Sequence, residues 1–115
     1  MLRHVVMLKF RSDAKTTAIA EYKRELRSLP SEIPGLRSFY FGSNVGSGSE
    51  GLGGEFGGNY DFVVISDLDD LDAYQIYANH PAHAELNRLY VRPIIQNRVA
   101  IQTFTEESEG VFPVN

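Results

Sequence analysis

Hydrophobic and polar positions alternate from the first residues of the chain. Leu2, His4, Val6, Leu8 and Phe10 fall on one side of an extended backbone, and Arg3, Val5, Met7 and Lys9 fall on the other, the period-two signature of a strand. The first row is apolar except for His4. The second is apolar at its centre, so both faces of this strand expect cover. The period then becomes helical: Ala18, Ile19, Tyr22, Leu26 and Leu29 share one face, Lys23, Arg24, Glu25 and Arg27 the other, with Ser12-Asp13 as the expected N-cap. Pro30 and Pro34-Gly35 end that helix and turn the chain into a second strand over 36–41.

A third strand is predicted over 60–66, followed by Asp67, Asp69, Asp70 and Asp72 as acidic helix-capping residues. Leu71, Tyr74 and Tyr77 mark one face of the next helix, which runs up to the His80-Pro81 step. A further helix is expected over 81–96, carrying Leu86, Leu89, Tyr90 and Ile94, with Pro93 shortening or bending it. The last strand is expected over 97–105, with Val99, Ile101 and Thr103 on one face and Ala100, Gln102 and Phe104 on the other.

This β-α-β-β-α-β order predicts an α+β, ferredoxin-like fold with a four-stranded antiparallel sheet and helices on one side. One domain spans 1–105, and 106–115 is a C-terminal tail. The sheet face opposite the helices carries Val5, Met7 and other apolar groups, too much to leave in water. Two such sheets closing face to face would make a homodimeric α+β barrel. Between the second and third strands, residues 42–58 are rich in glycine and serine, which cost backbone entropy to order. They read as a flexible hairpin loop, and Leu52 and Phe56 are the side chains that would cover a pocket if the loop acts as a lid. A phosphate-binding loop would need a Gly-Lys-Ser/Thr or a GxGxxG opening a helix, and neither is present.

Composition narrows the choice of function. The 115 residues, 43% of them apolar, suffice for one modest core. A net charge of −4 and the lack of a basic run argue against nucleic-acid and anionic-membrane partners. No segment approaches the ~20 apolar residues of a membrane helix, and the N-terminus lacks the pattern of a signal peptide. With no cysteine, thiolate chemistry is absent and a reducing, cytoplasmic location is expected.

Candidate chemistry concentrates in Tyr77-Ala-Asn-His80-Pro-Ala-His83. Proline suits a first helical turn and pushes its predecessor out of the helical region, so His80 should cap and His83 should sit at the third helical position. There the helix dipole disfavours imidazolium, leaving a neutral ring able to act as a general base. Tyr77, one turn back, could donate a hydrogen bond to a substrate oxygen or fix the ring. His80 and His83 could instead chelate a metal, but no third ligand lies at helical spacing, so no metal site is expected. The plainer readings remain open beside these: His4 as a hydrogen-bonded core residue, and Tyr77 as packing with its hydroxyl at the rim.

His4-Val-Val-Met-Leu-Lys-Phe10, Ile33-Pro-Gly35 and Tyr77-Ala-Asn-His80-Pro-Ala-His83 together resemble the Dabb family, the stress-responsive A/B-barrel domains, over nearly the whole chain apart from the glycine-rich stretch and the tail. The resemblance implies a homodimeric α+β barrel. Members that cyclise polyketides use a histidine and a tyrosine for a cofactor-free intramolecular aldol condensation, and these correspond to His83 and Tyr77. A first-strand histidine facing the same cavity corresponds to His4. Val6 and Leu8 then become cavity walls, and His80 joins His4, Val6 and Leu8 as the expected substrate-contacting set. Two functions follow as expectations. One is a cofactor-independent lyase or cyclase acting on a small apolar carbonyl compound such as a polyketide; the other is a non-catalytic dimeric, stress-associated or ligand-binding domain. Nothing in the sequence is specific to the oxygen chemistry of a cofactor-free monooxygenase, a third activity found on barrels of this kind.

Overall fold

The alternating rows of the first strand fold as their pattern dictates. In a computed structural model, which describes residues 1–45 and 60–111, strand β1 (Leu2–Phe10) lies inside a four-stranded antiparallel sheet of order β2-β3-β1-β4. The other strands are β2 (Leu36–Ser43), β3 (Phe62–Leu68) and β4 (Ile95–Phe104). The register sets His4 opposite Ser66 and Gln102, Val6 opposite Val64 and Ala100, and Leu8 opposite Phe62 and Arg98. These residues share the sheet face that the helices cover. The fold is α+β and ferredoxin-like, as expected. Strand β2 runs through Ser43, into the first residues of the glycine-rich stretch expected as a loop over 42–58; most of that stretch, with the lid residues Leu52 and Phe56, lies outside the described residues.

Helix α1 (Thr16–Ser28) buries Tyr22 and Leu26 against the sheet, and Leu29 follows in a single 3-10 turn. Its N-cap is Lys15, not Ser12-Asp13. The Ala14 amide donates to the Arg11 carbonyl (3.0 Å), and Asp13 pairs with Arg11. The chain therefore makes a turn at the predicted cap and enters the helix a few residues later. Of the acidic run, only Asp70 caps helix α2 (Leu71–Asn79), its carboxylate accepting from the Ala73 amide at 2.9 Å. Asp69 pairs with Arg37. Asp67 ends up on the far sheet face, where Arg3 grips it through two bonds (2.8 and 3.0 Å) and the Ser38 hydroxyl donates a third (2.7 Å). Arg3 holds the Asp67 carboxyl below its ordinary range.

The expected single helix over 81–96 is shorter. Helix α3 (Pro81–Leu86) widens into a π-helical turn (Asn87–Val91), in which the Arg92 amide donates to the Asn87 carbonyl five residues back at 2.9 Å. Pro93 has no amide hydrogen with which to continue this ladder. The chain leaves helical conformation there, and β4 begins at Ile95, two residues earlier than predicted.

Away from the helices, the sheet face is not covered. Met7, Tyr40, Val99 and Ile101 are all exposed, Ile101 to 66%, around the Arg3–Asp67 pair. One glycine is required by geometry: Gly35 has φ of +84°, and a Cβ there would lie 3.2 Å from the Ala73 Cβ in α2. Gly35→Ala should therefore lower unfolding free energy by about 1–2 kcal/mol, through the left-handed backbone and the crowded helix contact. Urea unfolding of the two proteins measures this.

Candidate active site

Pro81 fixes the local geometry. The residue before a proline is driven to extended conformation, and His80 takes φ −67° and ψ 136°, ending α2 and starting α3 at the same residue. Its ring Nδ1 accepts the Ala82 amide at 3.1 Å. A nitrogen that accepts a backbone N–H carries no proton, so His80 serves as a side-chain cap. The break turns α3 back so that the His83 ring packs on the Tyr77 ring, with centroids 4.6 Å apart and planes at 43°.

Both rings open on a hollow between the sheet and the helices. Val6 and Val64 form its floor on the sheet side, and Leu26, Leu29 and Leu86 form walls on the helical side. The polar atoms reaching it come from Tyr22, Tyr77, His83, Asn87 and Arg98. Its volume is about 40 Å³, room for a few water molecules at roughly 10–15 Å³ of such space each.

Of the residues singled out in the sequence, Val6, Tyr77 and His83 meet at this hollow. His4 is one layer away. It is buried, packs against Tyr74 (5.1 Å) and Tyr77 (6.2 Å), and its Nδ1 lies 2.9 Å from the Gln102 amide nitrogen. Leu8 is buried elsewhere in the core, and His80 points its ring nitrogen at its own helix. Neither lines the hollow. Tyr22, Asn87 and Arg98 do line it and were not singled out. The helical periodicity marks Tyr22 only as one apolar position. Asn87 reaches the hollow from the widened turn, which periodicity does not reveal. The signal for Arg98 was available: on β4 it shares the face of Ala100 and Gln102, an odd place for a cation.

The electrostatics follow from burial. His83 is pushed below its ordinary pKa, chiefly by loss of water and further by the Arg98 charge, while the Ala78 backbone works in the opposite direction. Burial, more than the dipole of a six-residue helix, keeps this ring neutral. A neutral imidazole keeps one ring nitrogen able to accept a proton. Tyr77 is raised above the ordinary phenol range, first by burial. The Ser66 hydroxyl donates to its oxygen at 3.2 Å, leaving the phenol's own hydrogen for another acceptor. Tyr22 is raised by burial as well. Among the described residues no group of three or more histidine or acidic side chains is placed to hold a metal.

With that geometry in place, comparison with known proteins identifies the lineage. The model of the stress responsive A/B barrel domain family matches residues 2–104, and the chain belongs to that family. It is 24% identical over 89 residues to olivetolic acid cyclase of Cannabis sativa, covering 77% of this chain and 82% of that one. A dimeric ferredoxin-like protein of unknown function from Thermobifida fusca is similar in structure at 29% identity, with a TM-score of 0.73 over 89% of this chain and 88% of the other. Hydroxynitrile lyase from Passiflora edulis shares the fold at 16% identity, with a TM-score of 0.76 over 97% and 96% of the two chains.

The buried histidines make stability depend on pH. His4 is pushed down from 6.5 to about 4, first by burial and then by the charges of Arg98 and His83. A folded pKa below the unfolded one gives a contribution that is complete above pH 6.5 and lost as pH falls toward about 4. For His4 the loss is on the order of 3 kcal/mol. Urea unfolding between pH 7.5 and 4 should show this decline. His4→Asn, which keeps an acceptor for Gln102 but does not titrate, should flatten much of it.

Proposed function

We propose that this member of the stress responsive A/B barrel family is a cofactor-independent lyase or cyclase that performs acid–base, aldol-type chemistry on a small carbonyl compound. The observation that carries the reading is the contact of a neutral imidazole with a phenol over one hollow, beside the break in the helical layer at His80. His83 takes a proton from the carbon next to a carbonyl, and the electrons move into that carbonyl as an enolate. Tyr77 donates its free hydrogen bond to the oxygen where the charge develops. The enolate carbon attacks a second carbonyl of the same molecule, and His83 returns the proton to the alkoxide that forms. Atoms and charge balance with no external oxidant, metal or cofactor. The names of the plant relatives, a cyclase and a lyase, are in keeping with such chemistry.

A hollow of about 40 Å³ is far below the ~300 Å³ at which pockets for drug-sized ligands begin. The reacting end of the substrate is therefore small, and a long polyketide chain would have to extend outside it. That same tightness favours the second reading, a non-catalytic domain in which His83 and Tyr77 simply pack. The two readings part on one variant. His83→Ala should reduce deuterium exchange at the carbon next to the carbonyl of a small diketone to its rate in buffer, with the oligomer intact; exchange at the wild-type rate in that variant would exclude the enzyme.

The protein works as a homodimer in this proposal. The uncovered apolar sheet face is what a second copy would bury, and the Thermobifida fusca protein is described as dimeric. Ile101→Asp places a charge on that face, on the edge strand β4, at little cost to a monomer, since the side chain is already exposed. Sedimentation should then report a monomer where the parent protein sediments as a dimer.

A further inference from the structure

The hollow has a polarity gradient. At its inner end Tyr77 is buried and His83 half-buried, both neutral, among valines and leucines. At its outer end stands Arg98, an exposed residue whose side chain nonetheless lines the same hollow. None of the residues lining it is acidic. Arg3, Arg11, Arg24, Arg37 and Arg88 each pair with a carboxylate, and of the remaining arginines only Arg98 lines the hollow. Arg98 has no carboxylate partner among the described residues. In a chain of net charge −4, a guanidinium at this cleft with no carboxylate among the lining residues is a local positive field, and low-dielectric walls concentrate it.

We infer that Arg98 selects a substrate carrying a carboxylate: the anionic end is held at the mouth by the guanidinium while the carbonyl end reaches His83 and Tyr77. The Asn87 amide, on the same rim, supplies further hydrogen-bonding capacity. Guanidinium matches a carboxylate through two parallel N–H donors, a geometry that lysine cannot reproduce. The substrate class is a short oxo acid, apolar apart from its carbonyl and its charged terminus. This rests on the proposed acid–base reading of the same hollow.

The arrangement also couples recognition to chemistry. Arg98 acts to disfavour a positive charge on His83, and so opposes the imidazolium that forms when the base takes its proton. A carboxylate seated on Arg98 cancels that opposition. A bound anion should therefore make the ring a better base at the moment it is needed.

Binding tests this without any need for turnover. Acetoacetate and its uncharged methyl ester are titrated into the isotopically labelled protein and followed by NMR at the His83 ring and the Arg98 side chain. Acetoacetate should perturb both and raise the His83 titration midpoint, while the ester binds roughly tenfold or more weakly, the weight of one charge-assisted pair. Arg98→Gln should bind acid and ester alike, and Arg98→Lys should recover part of the difference; unchanged backbone spectra establish that both variants fold. Equal binding of acid and ester by the parent, undiminished acid binding by Arg98→Gln, or no perturbation by either compound would each overturn the inference. If acetoacetate binds through Arg98 but its carbon-bound protons exchange no faster than in buffer, anion selection stands and the catalytic reading falls.

Discussion

A single backbone constraint organises the functional half of this protein. Pro81 cannot follow a helical residue without a clash, so His80 is forced into extended conformation and the helical layer breaks there. Without that break, Tyr77 and His83 would lie on one continuous helix, six residues and roughly 120° apart around its axis. With it, their rings meet at 4.6 Å over the same hollow. His80 stabilises the break by giving its ring nitrogen to the first free amide of the new helix. Two histidines three residues apart thus do different work, one as a cap and the other as a functional group.

Burial then sets the character of the site. The valines and leucines that line the hollow are the same residues that hold the sheet to the helices, so the core and the candidate site are one structure. Withdrawal of water keeps both histidines and both tyrosines uncharged. That neutrality suits a base and a hydrogen-bond donor at neutral pH, and it leaves Arg98 as the one fixed charge at the hollow. The cost appears in acid, where imidazoles that must protonate pull the fold apart.

Much of this was legible in the sequence, because alternation and helical periodicity report directly on which residues face the core. The rows of β1, the face of α1 and the opposite faces of β4 followed from spacing alone. What failed was local competition. Ser12 and Asp13 have the chemistry of a cap but lie in a turn sealed by Arg11 and Ala14, and Asp67 has the chemistry of a cap but belongs to a strand and to Arg3. The widened turn that brings Asn87 to the hollow leaves no periodic trace. The grouping of Leu8 and His80 with the substrate-contacting residues followed family likeness, and the hollow itself is lined instead by Tyr22, Asn87 and Arg98. Only Arg98, a cation on the inward face of a strand, announced itself in the pattern.

The claim at the centre of this account is that His83 is an uncharged ring at physiological pH because it is withdrawn from water beside a hollow. Its individual titration, followed by NMR of the ring carbon and nitrogen signals in the unliganded protein, measures that claim directly. The account predicts a midpoint below the ordinary histidine value of 6.5, with His4 lower still. A His83 midpoint above 6.5 would mean a solvated or anion-paired ring, and would contradict both its place at the hollow and its role as a base.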